Sequence, residues 1–227
     1  MMGPELHRIR AVVWKDLTAE RRTKAHFNSV VFLAGLILLL FGFALGPEAE
    51  ALRDVAAGVL WLTVLFSGVL SFNRSWEQEL EHGALEMLLL YPGSCRSIFL
   101  GKLLANLTFV LLVELVMVPA AAILYDIPVW PVLLPLAGVL LLGTLGFVTL
   151  GTFYAAMASR LRAREVMLPL LLFPMLVPLL LAAVQATRAI LAGGPMEQAG
   201  AWTRMLVVFD VIFFVGTLYA FEHVIED

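Results

Sequence analysis

The sequence predicts an all-α integral membrane fold: six transmembrane helices, an N-terminal interfacial helix and a cytoplasmic acidic coupling helix. Three observations carry this. The chain is 61% hydrophobic and 15% charged, with a mean hydropathy of +0.94, whereas soluble domains are nearer ~45–50% apolar and ~25% charged. Apolar runs of spanning length recur, each long enough for ~30 Å of hydrocarbon. The basic residues are sorted by segment. Only helices and closed barrels satisfy their backbone groups in lipid, and these runs are too long and too uniformly apolar for the alternating strands of a barrel.

The spans fall at about 27–45, 55–73, 98–124, 129–157, 166–187 and 204–222. The third and fourth are long enough to tilt. The first is read as a span rather than a cleavable signal, because it is longer than a signal core and ends at Phe43-Ala-Leu-Gly-Pro47 without a small-x-small site. Twelve basic residues (Arg8, Arg10, Lys15, Arg21, Arg22, Lys24, Arg74, Arg96, Lys102, Arg160, Arg162 and Arg164) fall on one side. Three (Arg53, Arg188 and Arg204) fall on the other. Positive charge in short loops stays in the cytoplasm, so both termini are expected there, with loops 46–54, 125–128 and 188–203 outside.

Residues 4–24 read as a surface helix. Leu6, Ile9, Val13 and Leu17 share one face, Trp14 is nearby and basic residues surround them, as in helices that lie in the headgroup plane. No repeat or linker divides the chain, so 1–227 is one transmembrane domain. Membrane lipid is its expected surroundings, and no nucleic-acid partner is expected.

The most informative stretch is Arg74-Ser-Trp-Glu-Gln-Glu-Leu-Glu-His-Gly-Ala-Leu-Glu-Met-Leu-Leu-Leu-Tyr-Pro92. Its carboxylates Glu77, Glu79, Glu81 and Glu86 cannot lie in lipid, where each ionised group costs several kcal/mol. Segment 74–97 is therefore expected at the cytoplasmic face. Ser75 followed by Gln78 resembles a capping box and predicts a helix starting at Trp76. Gly83 permits a bend, and Pro92-Gly93 ends the second part. Read blandly, this is a solvated connector, yet Leu88-Leu89-Leu90 would be wasteful on an exposed loop. An acidic helix with an apolar end points to a docking element.

Other residues are candidates for a gate or cavity. Glu114 lies deep in the third span, and Asp210 lies in the sixth, nearer the outer surface with Arg204 close in sequence. Intramembrane carboxylates face a bundle interior or a wet cavity, and the alternative is a neutral group hydrogen-bonded within the bundle. Pro169, Pro174 and Pro178 punctuate the fifth span, where each removes a helix hydrogen bond. A bent helix that moves and a merely tolerated proline are weighed evenly. Gly138, Gly143, Gly146 and Gly151 thin the fourth span, for packing first and a dimer surface second. The lone Cys95 excludes an internal disulfide. His7, His26, His82 and His223 all fall in cytoplasmic segments, and no metal site or catalytic group is evident.

The pattern Glu79-x-Glu81-x-Gly83-x-Leu85-Glu86-x-Leu88-Leu89-x-x-Pro92 resembles the cytoplasmic segment of ABC-2-type permeases. Within that group the chain looks most like the CcmB family, the permease-like subunit of the cytochrome c maturation ABC complex. Its length, the short Gly46-Pro47-Glu48 outer loop and the proline-rich fifth span agree. Lys15-Asp16-Leu17 is common to many such permeases and adds little.

The resemblance implies a bacterial inner-membrane subunit, a homodimer or part of a larger assembly. Its partners would be an ABC ATPase, a haem-handling membrane subunit and a haem chaperone. The docking residues implied are Glu77, Glu79, Glu81, Gly83, Leu85, Glu86, Leu88, Leu89 and Pro92. ATP would act in the partner, because the only Gly-Lys pair, Gly101-Lys102, has Arg96 and Leu103 where a P-loop needs Gly and Ser or Thr. Haem would be handled by the complex and not held by an outer histidine here. The output would be haem export or release of a haem-loaded chaperone. Alternatives are an ABC-2 permease for another hydrophobic substrate, with a wet cavity at Glu114, and a non-transporting membrane scaffold, with a dry one.

Overall fold

The computed structural model describes residues 2–46, 49–81, 94–159, 164–193 and 196–226. Among them there are seven α-helices and no strand. They are α1 (Met2–Thr23), α2 (Ala25–Leu45), α3 (Ala49–Glu81), α4 (Cys95–Leu124), α5 (Leu133–Ser159), α6 (Arg164–Leu191) and α7 (Met196–Glu226), with a 3-10 turn at Trp130–Val132 before α5. Six of them, α2 to α7, are long and apolar enough to cross a membrane.

The outer faces of these helices stay apolar because lipid, not water, is their solvent. Phe32, Phe43, Ile123 and Leu134 are all widely exposed. Packing inside comes from size matching. Helices α5, α6 and α7 form a mutually packed trio, with α3 against α5 and α6, and α2 and α4 alongside α3. The α6 stripe Leu168, Leu172, Leu176, Leu179, Ala183 and Ala186 is fully buried. Its spacing of three and four residues is the helical contact period.

The glycines of α5 serve packing within the chain. A Cβ on Gly143 would collide with the Trp61 ring, one on Gly146 with Asp210 and Leu179, and one on Gly151 with the Phe72 ring. Gly138 meets nothing within 4 Å. Trp61 is further fixed by its indole N–H, which donates to the Thr187 hydroxyl at 2.9 Å. At the end where α3 begins and α4 finishes, Arg53 bonds Asp126 through its carboxylate (2.5 Å) and its carbonyl (2.8 Å).

Two sequence expectations need correction. The helix expected to start at Trp76 does not start there, because α3 runs unbroken through Arg74–Glu81. Its 33 residues span ~50 Å at ~1.5 Å per residue, so it outruns the hydrocarbon and carries the acidic stretch beyond it. Ser75 is thus an interior helix residue, and its carbonyl and hydroxyl oxygens accept from Lys102 at 3.0 and 3.3 Å. Asp210 is not near an outer end: α7 begins at Met196, and Asp210 sits at the midpoint of the span Glu197–Glu222. The prolines of the fifth span lie inside one continuous helix, α6, from Arg164 to Leu191. Pro169 and Pro178 are half-buried and Pro174 is exposed, all off the buried stripe.

Candidate functional site

The most highly charged buried cluster among the described residues lies where α1, α3 and α4 meet. Lys102 enters it from the first turns of α4 and is only 1% exposed. Its ammonium stands 2.6 Å from Glu79 Oε1 and 2.9 Å from Asp16 Oδ2. Lys15 of α1 also pairs with Glu79 Oε1 and lies 3.3 Å from Asp16. Two cations and two carboxylates therefore balance in one cluster, with Lys102 and Glu79 buried and Lys15 half-exposed, which is the condition under which buried ionised groups are tolerated. Trp76 adds its ring, 5.7 Å from the Lys102 ammonium, within cation–π range.

Electrostatics lock these states. Burial alone would raise the Glu79 carboxyl, but the charge and hydrogen bond of Lys102, then those of Lys15, outweigh it and hold Glu79 below the usual carboxylate range. Burial would lower Lys15, but Asp16 and Glu79 outweigh it and raise the ammonium. Both groups stay charged at neutral pH.

A second anchor lies at Ser94, where the described chain resumes. Glu5 accepts from the Ser94 backbone N–H (3.1 Å) and hydroxyl (2.9 Å), and Arg8 donates to its carbonyl (3.2 Å). These Ser94 bonds lower the Glu5 carboxyl. Tight packing supports them: Val12 is buried against Gly101, where any Cβ would strike its side chain. Next to it, Arg96 bonds Glu222 at 2.9 Å and lies over the Tyr219 ring at 4.8 Å, tying the start of α4 to the end of α7. Helix α1 thus holds the acidic segment on both sides of residues 82–93, at Glu79 before them and at Ser94 after them.

The expected docking residues divide accordingly. Glu79 is buried and committed to Lys15 and Lys102, so it faces into the chain rather than toward a partner. Glu77 is partly exposed, with Arg74 at 4.0 Å. Glu81 closes α3, its side chain lying outside the described residues, as do Gly83, Leu85, Glu86, Leu88, Leu89 and Pro92. Lys102 was missed by sequence reasoning. The signal was there: a single lysine in the otherwise apolar run Phe99-Leu-Gly-Lys-Leu-Leu104 needs a buried counter-charge.

The intramembrane candidates are separate from this cluster. Glu114 is 4% exposed, and the Thr144 hydroxyl of α5 donates to its Oε1. It lines a groove of about 210 Å³ between α4 and α5 whose other walls, including Leu115, Val118, Leu136 and Leu140, are all apolar. Such a wall suits a dry, packed carboxyl better than a hydrated path. Glu114→Gln is expected to keep activity near the wild-type level, because an amide oxygen also accepts from Thr144. Glu114→Leu should lower stability by about 1 kcal/mol through the lost hydrogen bond. Thermal unfolding and an activity assay check both, and loss of activity in a stably folded Glu114→Gln would instead assign a role to the titrating proton. Asp210 packs on Gly146, and neither of its carboxyl oxygens has a hydrogen-bond partner among the described residues. Pro174 and Pro178 do not line the groove at Glu114. His26 stacks on Phe109 at 5.1 Å, and no group of three metal-ligating residues occurs among the described residues.

A family model, described as CcmB protein, matches residues 7–227. The chain belongs to the CcmB family. Proteins named Heme exporter protein B are similar over most of its length. That of Rhodobacter capsulatus is 32% identical over 180 residues, covering 79% of this chain and 82% of the relative. That of Pseudomonas aeruginosa is 32% identical over 188 residues, covering 82% of each. That of Haemophilus influenzae is 28% identical over 197 residues, covering 84% and 87%. As a CcmB-family protein the chain is a multi-pass, permease-type membrane subunit, and the match includes Lys15, Glu79, Ser94 and Lys102.

Proposed function

We propose that this chain is the membrane subunit of an ABC complex for c-type cytochrome biogenesis, coupling ATP hydrolysis in a partner ATPase to haem export or to release of a haem-loaded chaperone. It sits in a bacterial inner membrane with both termini cytoplasmic, as a homodimer or within a larger assembly that includes a haem-handling membrane subunit. The name of its relatives supports the haem reading. The twelve-to-three sorting of basic residues supports the orientation.

The observation that carries the coupling role is the pair of anchors on α1. A push on the acidic segment cannot be absorbed by slack at its flanks, because Glu79 is ion-paired to Lys15 and Lys102 and Ser94 is bonded to Glu5 and Arg8. Displacement there must move α1, α3 and α4 together. Release of a loaded chaperone is favoured over haem passage by the apolar groove at Glu114, and all four histidines fall in segments assigned to the cytoplasm.

The test is affinity purification of the tagged chain from its native membrane in mild detergent. Recovery of an ABC ATPase together with a haem-handling membrane subunit is the expected result. An ATPase without the haem-handling subunit would favour a permease for another hydrophobic substrate. Recovery of neither would reject coupling and leave a membrane scaffold.

A further inference from the structure

The outward face of α1 has a consistent chemistry that coupling does not use. Every carboxylate of this helix is engaged on the side that meets the bundle. Glu5 accepts from Ser94, Asp16 pairs with Lys15 and Lys102, and Glu20 accepts from the Phe27 backbone N–H at 2.8 Å. The bundle-facing side is thus the polar, ion-paired one, with Arg8 and Val12 buried in it. The opposite face presents Leu6 and Trp14, 68% and 70% exposed, beside the exposed cations Arg10, Arg21 and Arg22, with Lys24 just beyond the helix. No carboxylate of α1 is exposed on it.

We propose that this face binds anionic phospholipid headgroups, with Arg10, Arg21, Arg22 and Lys24 on the phosphates and Leu6 and Trp14 in the boundary with the acyl chains. An indole at a bilayer boundary and arginines on phosphate are each favoured pairings. Charge complementarity selects an anionic lipid over a zwitterionic one, because a face with cations and no exposed carboxylate is drawn by net negative surface charge, which a zwitterionic headgroup lacks. A cation near an anionic bilayer surface favours it by about fivefold, and four in one arc sum to a strong preference. The proposal stands apart from the coupling role, since it needs no ATPase.

The test uses the full chain in lipid nanodiscs, with Cys95→Ser and Trp14→Cys labelled by an environment-sensitive fluorophore. Two bilayers of equal phosphatidylglycerol and phosphatidylcholine content are compared, with brominated acyl chains on one lipid or on the other. Quenching about threefold stronger from brominated phosphatidylglycerol is expected, falling toward equality in 1 M salt, where the Debye length is ~3 Å. Arg10→Gln, Arg21→Gln and Arg22→Gln together should also bring the two signals to equality. Equal quenching before these substitutions at low salt would overturn the proposal, leaving membrane contact without headgroup recognition. No quenching from either lipid would also overturn it, and would assign the face to a protein partner. Both of these readings come from the chain with its cations intact, so a folding defect in the triple substitution cannot obscure them.

Discussion

Lys102→Met is expected to destabilise this protein by about 3–5 kcal/mol, the cost of removing one partner from a buried ion pair. Methionine fills the volume, so the loss isolates charge. Glu79 and Asp16 would be left with Lys15 alone, whose side chain is 45% exposed. Lys102→Met with Glu79→Gln should recover much of the loss, because the pair is removed together and residues in contact are non-additive. Thermal unfolding in detergent checks both, and an unchanged midpoint for Lys102→Met alone would show that the cluster contributes little. The pH dependence has a defined sign. The Glu79 carboxyl is depressed in the folded chain, so its share of stability is present above its ordinary value and is lost as pH falls through the depressed one. Lys15 is raised, so its share persists through the ordinary lysine range and is lost only above it. Stability from this cluster should therefore be flat from mildly acidic to mildly alkaline pH.

Gly151→Val should be the most damaging substitution of a small residue. Its Cβ would meet the Phe72 ring, which is fully buried and packed on Phe147 at 5.0 Å. Neither ring has free space to yield into, so α3 and α5 must separate, at about 1–3 kcal/mol or more. Gly138→Ala is the contrast, because nothing lies within 4 Å of its Cβ position. A reduced unfolding midpoint for Gly151→Val and an unchanged one for Gly138→Ala are expected. Equal effects would mean that the stripe is not read by its intramolecular partners.

Hydropathy made the six spans legible, because spanning length and lipid-facing composition are local properties. The unusual length of α3 was not legible. A Ser-x-x-Gln pattern looks like a helix start, and only Lys102, 27 residues away in sequence, reveals that Ser75 sits inside one. Glu79 was misread as a docking group for the same reason. Its partner Lys15 is 64 residues distant, so its burial is a tertiary property invisible to local pattern. Asp210 was placed too near an end because polar Glu197, Gln198 and Thr203 hid the first turns of α7. Gly143, Gly146 and Gly151 of α5, by contrast, were read correctly as packing positions, since a small residue in a span has few other uses, whereas Gly138 meets nothing within 4 Å.

The central claim is that the acidic segment docks a partner ATPase, and Glu77→Lys with Glu86→Lys tests it most directly. Glu79 is left intact, because reversing it would put a third cation beside Lys15 and Lys102 and unfold the cluster. Losing a charge pair at an interface costs about 2–5 kcal/mol when the pair is buried. Copurification of the ATPase with the double variant is expected to fall by about tenfold or more, with membrane level and unfolding midpoint unchanged. Undiminished recovery of the ATPase at a matched membrane level would contradict docking through these carboxylates.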